Sequence, residues 1–143
     1  MLIVDVNVLI YAGRADFAEH ARYVDWLEGE LNSDRAFGVS DLVLSGFLRI
    51  VTNPRVFREP SSLDEAVGFV EALRSASNAV TVAPGPRHWS IFRQLCWEVG
   101  ARGALIPDAY FAAMAIESDC EWITTDRDYA RFPGLRWRHP LTA

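Results

Sequence analysis

The sequence of 143 residues contains no lysine, so all 14 of its basic residues are arginine. Without an amine side chain the protein has no Schiff-base chemistry and no phosphate-loop lysine. It also lacks the lysine of the phosphatases and receivers that form an aspartyl-phosphate. The 19 acidic residues give a net charge of −5. This balance argues against a domain that binds nucleic acid through overall positive charge.

Cysteine is scarce, and long apolar runs are absent. Cys96 and Cys120 form no C-x-x-C pair, which excludes a disulfide framework and a thiolate zinc site and fits a reducing cytoplasm. No run approaches the ~18 apolar residues of a membrane span. The apolar N-terminus contains Asp5 and has no basic stretch before it. We therefore predict no signal peptide and no membrane contact, and place the chain in the cytoplasm.

Short apolar runs typical of buried strands alternate with helical periodicity. Strands are predicted at 2–5, 37–39, 79–83, 121–125 and 135–138. Helices are predicted at 16–32, 41–52, 87–99 and 108–118, with another opening at Ser62 and a short one at 126–131. This order indicates an α/β fold whose central, mainly parallel sheet of four to five strands is flanked by helices. No linker is visible, so we expect a single domain over 1–143.

Four aspartates are predicted to meet at one edge of this sheet. Asp5 closes the first strand, Asp126 follows the fourth with Asp128 two residues later, and Asp108 starts a helix. In open parallel sheets the active crevice lies outside the carboxyl ends of the strands. Carboxylates gathered there repel one another unless a divalent cation lies between them, and Mg²⁺ and Mn²⁺ prefer such oxygen ligands. A metal-bound water is a candidate nucleophile.

Each aspartate also has a purely structural interpretation. Asp108 and Asp126 both stand where an aspartate commonly caps a helix or makes a turn. Asp5 is harder to explain in that way, because an unpaired carboxylate inside an apolar run is costly. Asn7 either orients Asp5 or caps the helix that follows, and we predict the cap.

The chain resembles the PIN-domain ribonucleases, and most of all the VapC-type toxins of bacterial toxin–antitoxin pairs. Four segments carry the resemblance, in order and spacing: LIVDVNVLIYA at 2–12, FLRIVTNPRVF at 47–57, IPDAYFAAMAIE at 106–117 and WITTDRDYARFPGL at 122–135. The resemblance implies a PIN-like three-layer fold. It also implies a metal-dependent endoribonuclease that hydrolyses RNA phosphodiester bonds.

The family's acidic residues can be matched to positions in this chain. Asp5 matches the first of them, and Asp108 matches the aspartate of the D-A-x-x-A-A helix. Asp126 matches the aspartate of the T-x-D motif, whose threonine is Thr124, and Asp128 matches the further acid of that motif. The resemblance thus implies that all four aspartates are catalytic. It implies that Asp5, Asp108 and Asp126 hold Mg²⁺ (or Mn²⁺).

One position departs from the family pattern. Many PIN domains have a glutamate in a stretch like L-x-E-F, where this chain has Leu44-Ser45-Gly46-Phe47. Asp41 lies five residues earlier, on a different helical face, and is not expected to replace it. The missing acid leaves an alternative open: a catalytically weak or silent PIN-like module that acts through protein–protein contact.

The resemblance further implies an RNA substrate, a cognate VapB-type antitoxin that blocks the site, and a homodimer. Arginines could form a local rim that binds RNA phosphates, since arginine makes bidentate phosphate contacts. Solvated surface is the alternative for each of them: Arg14, Arg49, Arg55, Arg58, Arg127 and Arg131. Trp26, Trp97, Trp122 and Trp137 are predicted to pack in the core. His20, His88 and His139 show no metal-ligand spacing and are interpreted as structural or surface residues.

Overall fold

Five short parallel strands form the central sheet in the computed structural model, which describes residues 1–142. The spatial order of the strands is β3-β2-β1-β4-β5, and every neighbouring pair is parallel. Their bounds are β1 Leu2–Val4, β2 Phe37–Val39, β3 Ala79–Thr81, β4 Glu121–Ile123 and β5 Trp137–Arg138. The predicted sheet is confirmed. Each strand lies within or at its predicted range, and most are shorter because regular pairing ends where the chain turns into a helix.

Six α-helices and one 3₁₀ turn connect and cover the strands. The helices are α1 Val6–Gly13, α2 His20–Leu31, α3 Asp41–Val51, α4 Leu63–Arg74, α5 His88–Val99 and α6 Leu105–Glu117, and the 3₁₀ turn is Arg127–Arg131. Helix α6 begins three residues before its predicted start at Asp108. That aspartate therefore lies in the first turn rather than at the cap.

The apolar run at the N-terminus divides into a strand and a helix. Strand β1 ends at Val4 and α1 begins at Val6, so Asp5 stands alone at the junction. Leu2, Ile3, Val8 and Leu9 are all buried. Because both elements are covered by the rest of the chain, hydrophobic periodicity alone does not reveal the boundary.

The densest part of the core lies between α6 and the centre of the sheet. Ala109, Ala112, Ala113 and Ala115 have no exposed surface, and such small side chains allow the helix to approach the sheet closely. Trp122 on β4 is also fully buried and stacks on Phe111 at a ring distance of 5.5 Å. The predicted core position of Trp122 is confirmed.

The predicted core position of Trp97 is wrong, because its side chain is 69% exposed. It lies on the outer face of α5, where the guanidinium of Arg93 sits 5.2 Å from the centre of its ring. Helical spacing places a residue on a face but does not say whether another element covers that face.

None of the helices within residues 1–142 is long and apolar enough to cross a membrane.

Candidate active site

Asp5 is held at the carboxyl edge of the sheet by the junction between β1 and α1. Its backbone N–H donates to the carbonyl of Ile123, at the end of β4 (2.8 Å). Its side chain caps α1, because Oδ1 accepts from the backbone N–H of Val6 at 2.7 Å. Only 7% of the residue is exposed. The strand–helix boundary thus places a carboxylate in a buried position with one fixed orientation.

Two polar side chains fix the other oxygen of Asp5. The hydroxyl of Thr124 donates to Asp5 Oδ2 at 2.7 Å and accepts from the backbone N–H of Asp126 at 3.0 Å. The Asn7 amide donates to Asp5 Oδ2 (3.1 Å) and to the Thr124 hydroxyl (3.2 Å), while its oxygen accepts from the N–H of Thr125 (3.3 Å). The prediction that Asn7 caps the helix is wrong: Asp5 is the cap, and Asn7 orients it.

Asp108 and Asp126 approach from two other elements. The first turn of α6 carries Asp108, whose Oδ1 accepts from the hydroxyl of Tyr129 at 3.2 Å. Asp126 caps the 3₁₀ turn, since its Oδ1 accepts from the N–H of Asp128 at 2.9 Å. The Asp128 carboxylate itself is exposed and lies 3.7 Å from Arg131.

Tyr129 is a site residue whose hydrogen bond to Asp108 was not predicted from the sequence. Burial and the neighbouring carboxylates of Asp5 and Asp108 raise its pKa, so it stays protonated and acts as a donor. Its place in the T-T-D-R-D-Y segment was the available signal. A phenylalanine would keep the packing at this position but would leave Asp108 without this hydrogen bond.

Burial and neighbouring carboxylates affect the charge of Asp5 and Asp108. Burial raises the pKa of Asp5 to about 6, with further contributions from the charges of Asp108 and Asp126, although its hydrogen bonds act in the opposite direction. The pKa of Asp108 is also raised, mainly by burial and then by Asp126 and Asp128. The structure therefore brings the predicted acids near enough to one another for Asp108 and Asp126 to act on Asp5, and for Asp126 and Asp128 to act on Asp108.

Comparison with known proteins identifies the family. The PIN-domain family model matches residues 2–135. Ribonuclease VapC43 of Mycobacterium tuberculosis is 53% identical over 141 residues, which cover 99% of this chain and 96% of that protein. The chain belongs to the VapC ribonucleases. Ribonuclease VapC25 of the same organism is 42% identical over 140 residues, 98% of this chain and 99% of that protein.

A solved structure agrees with this VapC fold. VapBC2 from Rickettsia felis, crystallised with a DNA fragment from its promoter, matches with a TM-score of 0.71 at 15% identity. The match covers 96% of this chain and 97% of that chain. At this identity the similarity concerns the fold, and it confirms the predicted PIN-like α/β architecture.

This VapC ribonuclease lacks the family glutamate, whose side chain would begin next to the residue that follows Asp5. A Cβ atom added to Gly46 on α3 would lie 3.1 Å from Cγ2 of Val6, the residue after Asp5. Asp41 does not replace that acid, because it is exposed on the same helix and pairs with Arg74. The acidic cluster is therefore limited to the four aspartates.

The chemistry of the cluster fits a hard divalent cation. Within residues 1–142, no three acidic, histidine or cysteine side chains stand close enough to surround a metal ion together. The four aspartates nevertheless offer carboxylate oxygens, the ligands that Mg²⁺ and Mn²⁺ prefer. A bound cation would also favour the charged forms of Asp5 and Asp108, whose pKa values are raised mainly by burial and further by the neighbouring carboxylates.

One of the predicted rim arginines has a structural role instead. The Arg14 side chain is only 10% exposed and pairs with Asp16 at 3.0 Å. It also donates to the hydroxyl of Ser61 (2.9 Å) and lies 3.9 Å from the centre of the Phe57 ring. Arg14 is therefore occupied in holding the 57–61 segment against α1. Arg127, by contrast, is exposed and directly follows Asp126.

Proposed function

We propose that this VapC ribonuclease is the toxin of a toxin–antitoxin pair and a metal-dependent endoribonuclease. The observation that carries the proposal is the set of four aspartates that three elements bring to the carboxyl edge of the sheet. Asp5, Asp108 and Asp126 would hold Mg²⁺ or Mn²⁺, and all four aspartates, Asp128 included, would be catalytic. Ribonuclease activity is the family property, and we assign the residue roles and the metal to this chain from the resemblance and the site geometry.

Each side chain contributes to the hydrolysis through its position. When bound, Mg²⁺ lowers the pKa of a coordinated water and offsets negative charge on the phosphate. Thr124 and Asn7 keep both oxygens of Asp5 in a single orientation, so little reorganisation is needed when substrate binds. Tyr129 does the same for Asp108.

Asp128 has a different environment from the other three carboxylates. It is exposed at the start of the 3₁₀ turn, next to Asp126, and its exposed 3.7 Å pair with Arg131 is weak enough to give way to an incoming substrate. We assign it the orientation of the attacking water. In the reaction the water oxygen bonds to phosphorus, one P–O bond of the RNA backbone breaks, and the departing sugar oxygen takes up a proton.

We further infer an antitoxin partner and a homodimer. The Rickettsia felis protein with the same fold was crystallised as a VapBC pair on promoter DNA. An antitoxin that covers the acidic edge would block RNA from the four aspartates. The homodimer remains a prediction that a mass measurement in solution will test.

The decisive experiment compares RNA cleavage by three variants. Asp5→Asn and Asp108→Asn should each lower Mg²⁺-dependent cleavage of mixed RNA at least about 100-fold, because each removes a charged ligand while keeping its size. Circular dichroism and melting curves should show that both remain folded. Asp34→Asn is the matched control, since Asp34 is exposed and precedes β2 at the opposite edge of the sheet. It should cleave like the wild type.

Two results would contradict the proposal. Unchanged cleavage in both site variants would remove the aspartates from the catalytic centre. Absence of Mg²⁺- or Mn²⁺-dependent cleavage by the wild type on mixed RNAs would favour the silent module, for which the glycine at position 46 is the supporting observation.

A further inference from the structure

Two hollows are lined by the residues that flank Asp126, Arg127 in one and Thr125 in the other, and His139 lines both of them. One has a volume of about 450 Å³, and its walls include Arg127, Trp137 and Arg138. The other has a volume of about 360 Å³, and its walls include Tyr11, Phe17 and Thr125. The two hollows, with His139 as their shared wall, make up one surface region beside the candidate active site. We call it the His139 groove.

The strand register explains why His139 is at this edge. Ile123 of β4 pairs with Arg138 of β5, and the N–H of Thr124 donates to the carbonyl of Arg138 at 3.1 Å. The residue after Arg138 therefore leaves the sheet beside the residues after Ile123, and those residues carry the T-T-D motif. Parallel pairing thus brings His139 to the edge where Asp5 and Asp126 lie.

The His139 ring presents a hydrogen-bond donor in a set direction. Its Nδ1 accepts from the backbone N–H of Leu141 at 3.1 Å. In the neutral ring the single proton is therefore on Nε2, which is left to donate to a ligand. The ring is half-buried, so its orientation is restricted while one edge remains accessible.

The first hollow suits an anion. Its walls contain two arginines and His139 but no carboxylate. The guanidinium of Arg138 turns back to Glu121, with Nη2 at 3.2 Å from the carboxylate, so its charge is largely engaged. Arg127 is exposed, and among residues 1–142 it pairs with no carboxylate. Arg127 and His139 are thus the groups available to a phosphate.

The second hollow suits a nucleobase. Tyr11 packs edge-on against Phe17 with ring centres 4.7 Å apart, and Tyr23 lies 4.9 Å from Tyr11. Glu19 also lines this hollow; one of its carboxylate oxygens pairs with Arg22 at 3.0 Å, and within residues 1–142 the other accepts no hydrogen bond. A planar base with exposed N–H groups can contact an aromatic wall and donate to a carboxylate at the same time.

We propose that the His139 groove binds one unpaired nucleotide of the RNA beside the cleaved bond, with its phosphate on Arg127 and His139 and its base against Tyr11 and Phe17. This proposal rests on the function proposed above and adds the subsite that holds the substrate. It accounts for how a chain of net charge −5 retains RNA next to a cluster of acids: the positive charge is local. It also predicts a preference for single-stranded RNA, since a base that is paired and stacked in a duplex is not free to contact the aromatic wall.

The test measures RNA affinity and cleavage separately. Binding of a short labelled single-stranded RNA of mixed sequence is followed in the non-cleaving Asp5→Asn protein, with Arg127→Ala or His139→Ala added. Each added change should weaken binding about tenfold, the usual loss when one charged hydrogen bond is removed. In the otherwise wild-type protein, Arg127→Ala should raise KM by a similar factor and leave kcat nearly unchanged.

The salt dependence separates a phosphate contact from a structural effect. Removing one phosphate contact should lower the slope of log affinity against log salt by about 0.7 for a single strand. Arg136→Ala is the matched control, because Arg136 lies at the other end of β5 and pairs there with Asp119 at 3.0 Å. It should leave the affinity, KM and salt slope unchanged. Phe17→Leu should weaken binding without changing the slope.

The outcomes distinguish failure of this proposal from failure of the proposed function. If the wild type cleaves RNA but Arg127→Ala and His139→Ala bind it as tightly as Arg136→Ala, the His139 groove is not the RNA subsite. If these variants lose only affinity for a protein partner, the groove is a protein contact and the proposal is overturned. If the wild type does not cleave RNA, the binding measurement still tests the groove. A loss of RNA affinity in Arg127→Ala and His139→Ala but not in Arg136→Ala supports it, and equal affinities contradict it.

Discussion

Asp5 is a charged residue in a place that disfavours charge. It is buried among apolar neighbours, and its pKa is raised to about 6 by burial and by the charges of Asp108 and Asp126. Three hydrogen bonds, from Val6, Asn7 and Thr124, act against that destabilisation without abolishing it. Because this pKa is higher in the folded protein than in the unfolded chain, the free energy of unfolding depends on pH.

The first residue-scale prediction concerns pH. Because the folded-state pKa of Asp5 lies above its ordinary value of 3.8, the folded protein binds the proton more tightly than the unfolded chain. The associated stability is complete below the unfolded pKa and is lost as pH rises through about 6. Without metal, this group should lower the free energy of unfolding by about 1 kcal/mol between about pH 5 and about pH 7.5.

Urea denaturation in EDTA at several pH values checks this prediction. Asp5→Asn should remove that part of the pH dependence, because asparagine does not titrate. The difference between the two proteins isolates Asp5 from Glu117 and Glu121, whose lowered pKa values act in the opposite direction. Parallel stability curves for wild type and variant would contradict the prediction.

The second residue-scale prediction concerns the hydroxyl of Thr124. Thr124→Val keeps the shape but removes the donor to Asp5 and the acceptor for the N–H of Asp126. We expect cleavage to fall about 10- to 100-fold and the protein to lose about 1–3 kcal/mol of stability. Thr124→Ser should restore most of the activity, and Thr81→Val, at an exposed threonine at the end of β3, is the control. Equal activity of the valine and serine variants would exclude a positioning role.

At the scale of elements, two glycines differ in whether the structure has room for a side chain at their position. Gly68 lies in α4 on its exposed side, and an added Cβ would meet nothing within 4 Å. Gly38 lies in β2, where an added Cβ would be 2.8 Å from the carbonyl oxygen of Leu2 and from Cγ1 of Ile3. Gly68 therefore lowers the stability of α4 without a packing reason, whereas Gly38 permits close pairing of β1 and β2.

Opposite effects of alanine are therefore expected at these two positions. Gly68→Ala should raise the free energy of unfolding by about 1 kcal/mol, because alanine loses less backbone freedom in a helix. Gly38→Ala should lower it by about 1–3 kcal/mol, because the strands must separate to admit the methyl group. Urea denaturation of the two variants tests both. A loss of stability in Gly68→Ala, or none in Gly38→Ala, would contradict this account.

At the scale of the whole molecule, stability and metal binding should be linked. The uncompensated charges of the aspartate cluster destabilise the metal-free protein, and a ligand that binds only the folded state stabilises it by mass action. At about 100 times its Kd, Mg²⁺ should add about 2.7 kcal/mol and raise the melting temperature by several degrees.

Melting curves with Mg²⁺ and with NaCl at matched ionic strength check this prediction. The increase in melting temperature should occur only with Mg²⁺ or Mn²⁺. It should be absent in Asp5→Asn and retained in Asp34→Asn. An equal increase with NaCl would show screening of surface charge rather than a bound cation. An increase retained in Asp5→Asn would place the cation elsewhere in the protein.

Sequence alone determined the elements and the chemistry that they carry. Alternating strands and helices are encoded in local hydrophobic patterns, so the parallel sheet and the capping hydroxyl of Ser62, which accepts from the N–H of Glu65, were predictable. The absence of lysine and the four aspartates were sufficient to favour a carboxylate–metal mechanism. The family segments are likewise a property of residue order.

Tertiary structure decided which groups meet and which faces are covered. Asn7 and Thr124 are 117 residues apart, and only the pairing of β1 with β4 brings the amide of one to the hydroxyl of the other. Trp97, predicted in the core, is exposed, and Arg14, predicted at the surface, is largely buried, because the periodicity of a segment does not show whether another element covers it. His139 reaches the candidate site for the same reason: strand register is a long-range property, set by packing between distant segments rather than by local sequence.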